Sequence, residues 1–200
     1  MMLRQHATAT FAISFPFLFP GPGWIPALLF TVFGSLLPDM DISDCNPVSG
    51  NKGAVSRVLS FLGLVFNWPV SRIFSLVSGK DMTGHRGFAH TVIAGLLLSA
   101  LVGLLLFVAK LNYVYAAWLL IGYLLHLLED AMTPSGVEPF FPFGKKLYGR
   151  IKTDNPAWDV ITVLLCVPTG IFLLGLAGSE TARASVALLV LALVLTIRIK

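Results

Sequence analysis

Charge is the scarcest commodity in this chain. Only 12% of its 200 residues are Asp, Glu, Lys or Arg, where a soluble globular protein carries about 25%. Mean hydropathy is +0.83, which excludes an ordinary soluble domain and implies a chain solvated by lipid. Cysteine is nearly absent too. Cys45 lies in a polar loop and Cys166 in an apolar run. They fall at different expected depths, so no disulfide framework is expected, and no CxxC metal spacing exists. Internal repeats, low-complexity tracts and disordered-looking stretches are all missing, which points to one domain over residues 1–200. No nucleic-acid partner is expected.

What is present is a series of apolar runs. A bilayer core about 30 Å thick needs about 20 apolar residues as helix. Ala89–Ala109 and Ala157–Ala177 meet that, and Tyr113–Leu128 and Ala182–Ile197 fall slightly short. Ala7–Phe19 and Trp24–Leu37 are shorter again and are joined by the Pro-Gly-Pro-Gly turn at 20–23. They read as a hairpin, short-spanning or re-entrant and sheltered by other helices. The start of the chain has the look of a leader but no A-x-A site, so it reads as retained. Pro16, Pro26 and Pro168 should each kink or end a helix. Residues 56–79 are apolar but punctuated by Arg57, Asn67, Pro69 and Arg72. They suggest interfacial amphipathic helix, with a broken seventh span as the alternative. The expected fold is therefore all-α: an integral membrane helical bundle of about six segments.

If six segments alternate, one face holds both termini and the loops 38–88 and 129–156. That face carries twelve of the fourteen Lys and Arg residues, and the other only Lys110 and Arg183. The positive-inside rule then puts both termini in the cytoplasm. All four histidines, His6, His85, His90 and His126, fall on the same face. Asp39 and Asp41 sit there in "LLPDMD", Asp130 follows His126 by one helical turn, and Asp159 lies near the start of the fifth segment.

Each motif has a bland explanation alone. "PDMD" is also a helix stop, "HRGFAH" also a basic flank, and "HLLED" also a helix end. Their coincidence in one layer is what points to function, because ionisable groups at membrane depth are costly. A His/Asp set without cysteine suits a hard or borderline divalent ion. His6, Asp39, Asp41, His85, His90, His126 and Asp130 outnumber the needs of one tetrahedral ion. Two ions sharing a carboxylate is the expectation, zinc first, with manganese, iron or magnesium as alternatives. Arg86 suits bidentate phosphate binding, and Lys145 and Lys146 suit an anionic headgroup surface. Thr91, Thr133 and Asp159 are candidates to orient the ligands from behind.

At "LLPDMD", "GHRGFAHT" and "GYLLHLLEDAMTPSGVEPFFPF" the chain resembles the YdjM-like family of prokaryotic inner-membrane proteins, described as membrane-bound metal-dependent hydrolases. The likeness runs from about His6 to about Pro142, with a weaker echo at Asp159, where the family often has Glu. The family's histidines and aspartates fall on the seven positions named above. Glu129 stands where a small residue is common and is set aside from the ligands. The resemblance implies hydrolysis, and a distant similarity to zinc-dependent phospholipase C enzymes. A site at the cytoplasmic lipid interface suggests a membrane phospholipid as substrate, with Arg86 and Asp41 taking part in catalysis. Two rival readings remain. A metal-stabilised structural or regulatory protein would close its ligands round the ion. A divalent-ion carrier would place them near the midplane in repeated halves.

Overall fold

A computed structural model describes residues 3–19, 21–41, 63–79, 87–141, 144–151, 156–173 and 178–199, with single positions 57, 61, 81 and 175. The architecture is helical. The helices are α1 (Leu3–Leu18), α2 (Trp24–Gly34), α3 (Trp68–Ser78), α4 (Val92–Val108), α5 (Tyr115–Ala131), α6 (Pro156–Leu173) and α7 (Ser179–Val194). Among the described residues the one sheet is a two-residue ribbon, β1 (Leu147–Tyr148) antiparallel to β2 (Arg198–Ile199), which the sequence pattern did not suggest. Each of the six apolar runs contains a helix. No described helix is long and apolar enough to cross a membrane by itself. The 17 residues of α4 or α5 give about 26 Å at 1.5 Å per residue, short of a hydrocarbon core of about 30 Å.

The prolines do less damage than expected. Pro26 sits in the first turn of α2, where its missing N–H has no helical partner to lose. Pro168 lies inside α6, which continues to Leu173. Pro16 cannot donate to the carbonyl of Ala12. Thr169 Oγ1 from α6 donates there instead, at 2.9 Å, so the freed acceptor is satisfied and α1 runs on to Leu18. Within the 56–79 stretch, residues 63–79 form a π-helical turn, Gly63–Asn67, leading into α3. One face of α3 is apolar and exposed, and Gly79 at φ 69° ends it in the left-handed conformation that glycine adopts without strain.

Among the described residues the packing of α2 on α5 is the most extensive, and it places the site. It depends on two glycines. A Cβ on Gly122 would overlap the Thr31 carbonyl, and one on Gly34 would overlap the Leu119 carbonyl. Backbone meets backbone, as in close-packed membrane helices. On α5's other side, Tyr123 lies over Gly95 of α4, and its hydroxyl donates to the Ala89 carbonyl. The main core surrounds these contacts, with Leu36, Leu37, Met40, Phe88, Leu119, Tyr123 and Leu127 buried.

Candidate metal centre

Five of the expected ligands converge from four elements. His6 lies in the first turns of α1. Asp39 lies in the 3-10 turn Pro38–Asp41 that follows α2, and His90 in the 3-10 turn Phe88–His90 that precedes α4. His126 and Asp130 are one turn apart near the end of α5. The three histidines are 0% exposed, Asp130 2% and Asp39 5%. The apolar run Ala89–Ala109 does not become α-helical at its start. His90 sits in a tight turn just before α4, while Thr91 caps α4 by accepting from the Ala94 amide at 3.1 Å.

The separations are those of atoms that share an ion. His90 Nε2 lies 3.4 Å from Asp130 Oδ2. His126 Nε2 lies 3.8 Å from both Asp130 Oδ2 and Asp39 Oδ1, and His6 Nε2 lies 4.0 Å from Asp130 Oδ1. Two ligands on one tetrahedral ion at bond lengths of about 2.1 Å sit roughly 3.4 Å apart. The atoms form two triads: His6, His126 and Asp130, and Asp39, His90 and His126. Within each, all ligand atoms lie within 4.8 Å of one another. His126 belongs to both.

Two of the imidazoles are held from behind. His126 Nδ1 donates to the Ser35 carbonyl at 2.6 Å. A carbonyl only accepts, so Nδ1 carries the proton and Nε2 presents its lone pair to the aspartates. Ser35 reaches His126 because of the glycine-mediated approach of α2 to α5. His6 Nδ1 and Glu129 Oε2 lie 2.5 Å apart, a short hydrogen bond between two buried groups. The His6 Nε2 is left buried with no hydrogen-bond partner among the described residues. The rings of His6 and His126 stack at 3.8 Å, 20° from parallel. A carboxylate behind a metal-binding imidazole is the usual way such a ligand is oriented. Glu129 was passed over in the sequence. The available signal was its burial-prone place on α5, 3% exposed, with no cation on its own helix turn to pair with.

The other expected residues divide as follows. Thr133 Oγ1 donates to the Asp130 carbonyl at 2.8 Å and accepts from the Gly136 amide, closing the end of α5. The loop that follows is tied down by Gly149 and Ile151, whose amides donate to Thr133 and Met132, and Val92 N donates to the Pro139 carbonyl at the start of α4. Lys145 and Lys146 are exposed, just before β1. Asp41 ends its 3-10 turn and Asp159 lies on α6, but their side chains are outside the described residues, as are His85 and Arg86 altogether.

The donor set fits a divalent ion: imidazole nitrogens and carboxylate oxygens, buried, with the orphaned His6 Nε2 among them. The YdjM inner membrane protein family matches the sequence across residues 1–200. The chain belongs to this family. Relatives include the inner membrane protein YdjM of Escherichia coli (strain K12) and that of Shigella flexneri. Each is 31% identical over 135 residues, covering 64% of this chain and 54% of the relative. The chain thus spans about half the length of the curated relatives it matches. An inner-membrane location follows from the family. No solved structure matches the chain.

Proposed function

We propose that this protein is a multi-pass, membrane-embedded, metal-dependent hydrolase that cleaves a phosphoester of a membrane lipid at the cytoplasmic face. The observation that carries the reading is the pair of buried triads sharing His126, with His6 backed by Glu129. Membrane embedding is supported by the apolar exterior. Leu104, Leu105, Phe107 and Val108 on α4 and Leu188, Leu191 and Leu195 on and beside α7 are all exposed. Short helices can still serve in a bundle, with bilayer thinning and interfacial flanks absorbing the mismatch. The cytoplasmic placement of the termini and the site rests on the distribution of Lys and Arg.

Ions held by the two triads would supply Lewis acidity toward water and a phosphoryl oxygen. The chain's own residues do the rest. His6, Asp39, His90, His126 and Asp130 would hold the metal, with His126 serving one ion through the single lone pair of its Nε2. Ser35 and Glu129 fix which ring nitrogens face inward. Asp41, two residues beyond Asp39 in the chain, is assigned to accept a proton from the attacking water. Arg86 is assigned to the transferring phosphoryl group, and Lys145 and Lys146 to the surrounding anionic surface.

The burial of every described ligand favours a second reading, a metal-stabilised structural protein, since structural sites are closed. One experiment separates the two. Protein purified in detergent, loaded with zinc or manganese, is given radiolabelled phospholipids and soluble phosphoesters. A hydrolase releases headgroup or phosphate, chelation stops it, and Arg86→Ala slows turnover with metal content intact. Full metal occupancy with no turnover of any phosphoester refutes the hydrolase and leaves the structural protein.

A further inference from the structure

Beside the metal centre lies a cavity of about 190 Å³, lined by Met40, Phe66, Asn67, Val70, Phe88, Ala94, Leu97, Leu98 and Leu101. At the ~30 Å³ that one water occupies, it has room for roughly six methylene-sized groups. Its floor is made of the two turns that carry ligands. Met40 follows Asp39, and Phe88 lies two residues before His90. These turns pack on each other, and the Gly63–Asn67 turn packs so closely on the first that a Cβ on Gly63 would strike the Met40 carbonyl. Its walls are α3 and α4. The mouth is marked by Leu97, which lines the cavity and is 52% exposed. Leu96, next to it on α4, is exposed too, as are Leu76 and Val77 on α3 at 85% and 83%.

One polar side chain interrupts the lining. Asn67 is 6% exposed, and its Oδ1 has no hydrogen-bond partner among the described residues. An unpaired amide acceptor in an apolar pocket is costly. It needs a donor that the described protein does not supply.

We propose that this cavity holds the headgroup-proximal methylenes of a hydrocarbon tail of a single membrane amphiphile. The amphiphile enters sideways from the bilayer between α3 and α4, with a hydroxyl or amide N–H near its polar end donating to Asn67 Oδ1. Its headgroup would then lie over the turns bearing Asp39 and His90. The apolar lining, the lateral mouth among lipid-facing leucines and the single orphan acceptor together specify an amphiphile rather than a soluble phosphoester. The proposal rests on the membrane-embedded reading above but not on turnover.

The probe is lysophosphatidic acid carrying a diazirine on its acyl chain, mixed into phosphatidylcholine vesicles with the metal-loaded protein. Illumination and peptide mass spectrometry map the labelled residues. Label concentrated on Val70, Leu97, Leu98 and Leu101 supports the cavity. Label spread evenly over the exposed leucines of α4 and α7 overturns it, whether or not any variant folds. Leu98→Trp fills the space, and excluding even two methylenes weakens apolar binding by about tenfold. Cavity labelling should fall by that factor while metal content stays at the parent level. Asn67→Leu keeps the branched shape and should lower labelling about threefold to tenfold by removing the acceptor. Unchanged labelling in both variants overturns the proposal. A labelled cavity in a protein that hydrolyses nothing retains the tail site and removes only the hydrolase. Hydrolysis with no cavity labelling does the reverse.

Discussion

Glu129→Ala is the sharpest test of the metal centre, because the sequence alone assigns that residue little. The residue is 3% exposed, and its Oε2 lies 2.5 Å from His6 Nδ1. Its removal leaves His6 free to rotate and to carry its proton on either nitrogen. Partners behind metal ligands are worth about 10- to 100-fold in affinity. That is about 1.4–2.7 kcal/mol, in line with the roughly 1.5–3 kcal/mol of a hydrogen bond to a charged group. Glu129→Gln keeps the shape and an acceptor oxygen but loses the charge. A neutral bond is about half as strong, so its loss should be only about three- to tenfold. His6→Ala, which removes the ligand itself, should cost more than either. Zinc affinity is read by titration against a chromophoric chelator in detergent. Thermal melts with and without chelator separate folding from binding. The expected order of zinc affinity is parent, Gln, Ala, then His6→Ala. An Ala variant within about twofold of the parent, well outside the range expected of such a partner, would refute the orienting role. The short contact between Glu129 and His6 would then be structural only.

Gly122→Ala drives a methyl into the Thr31 carbonyl. Relief requires α2 to move off α5, which should destabilise the fold by about 1–3 kcal/mol or more and lower metal affinity, because Ser35 and Asp39 travel with α2. A melting temperature equal to the parent's would contradict the close approach. Tyr123→Phe deletes the donor to Ala89 next to His90. It should cost about 1–3 kcal/mol of stability by leaving a buried carbonyl unsatisfied, read as the midpoint of a thermal melt. Reporter fusions at Met1 and Lys200 should both signal the cytoplasm. Opposite signals would mean an odd number of crossings and would remove the basis for placing all the ligands on one side.

Helix content and the residue types of the candidate ligands were legible in the chain because they are local properties. Long apolar runs admit little but helix in lipid. Four histidines and a few aspartates in a chain with 12% charge stand out without any coordinates. The spacing of His126 and Asp130 already fixed them on one helix face. Which residues meet was settled by long-range packing. Two glycines, at 34 and 122, let α2 close on α5, and only that approach brings Ser35 and Asp39 to His126. The partnership of Glu129 with His6 spans 123 residues of sequence, so no periodicity could reveal it. The same holds for the β1–β2 ribbon, whose strands are two residues each and too short to leave a pattern, and for Thr169, which satisfies the carbonyl that Pro16 frees. The sequence by itself determined the chemistry available to this protein. The tertiary structure decided the grouping, because a ligand set is defined by distances between segments, and those depend on how closely backbones can approach.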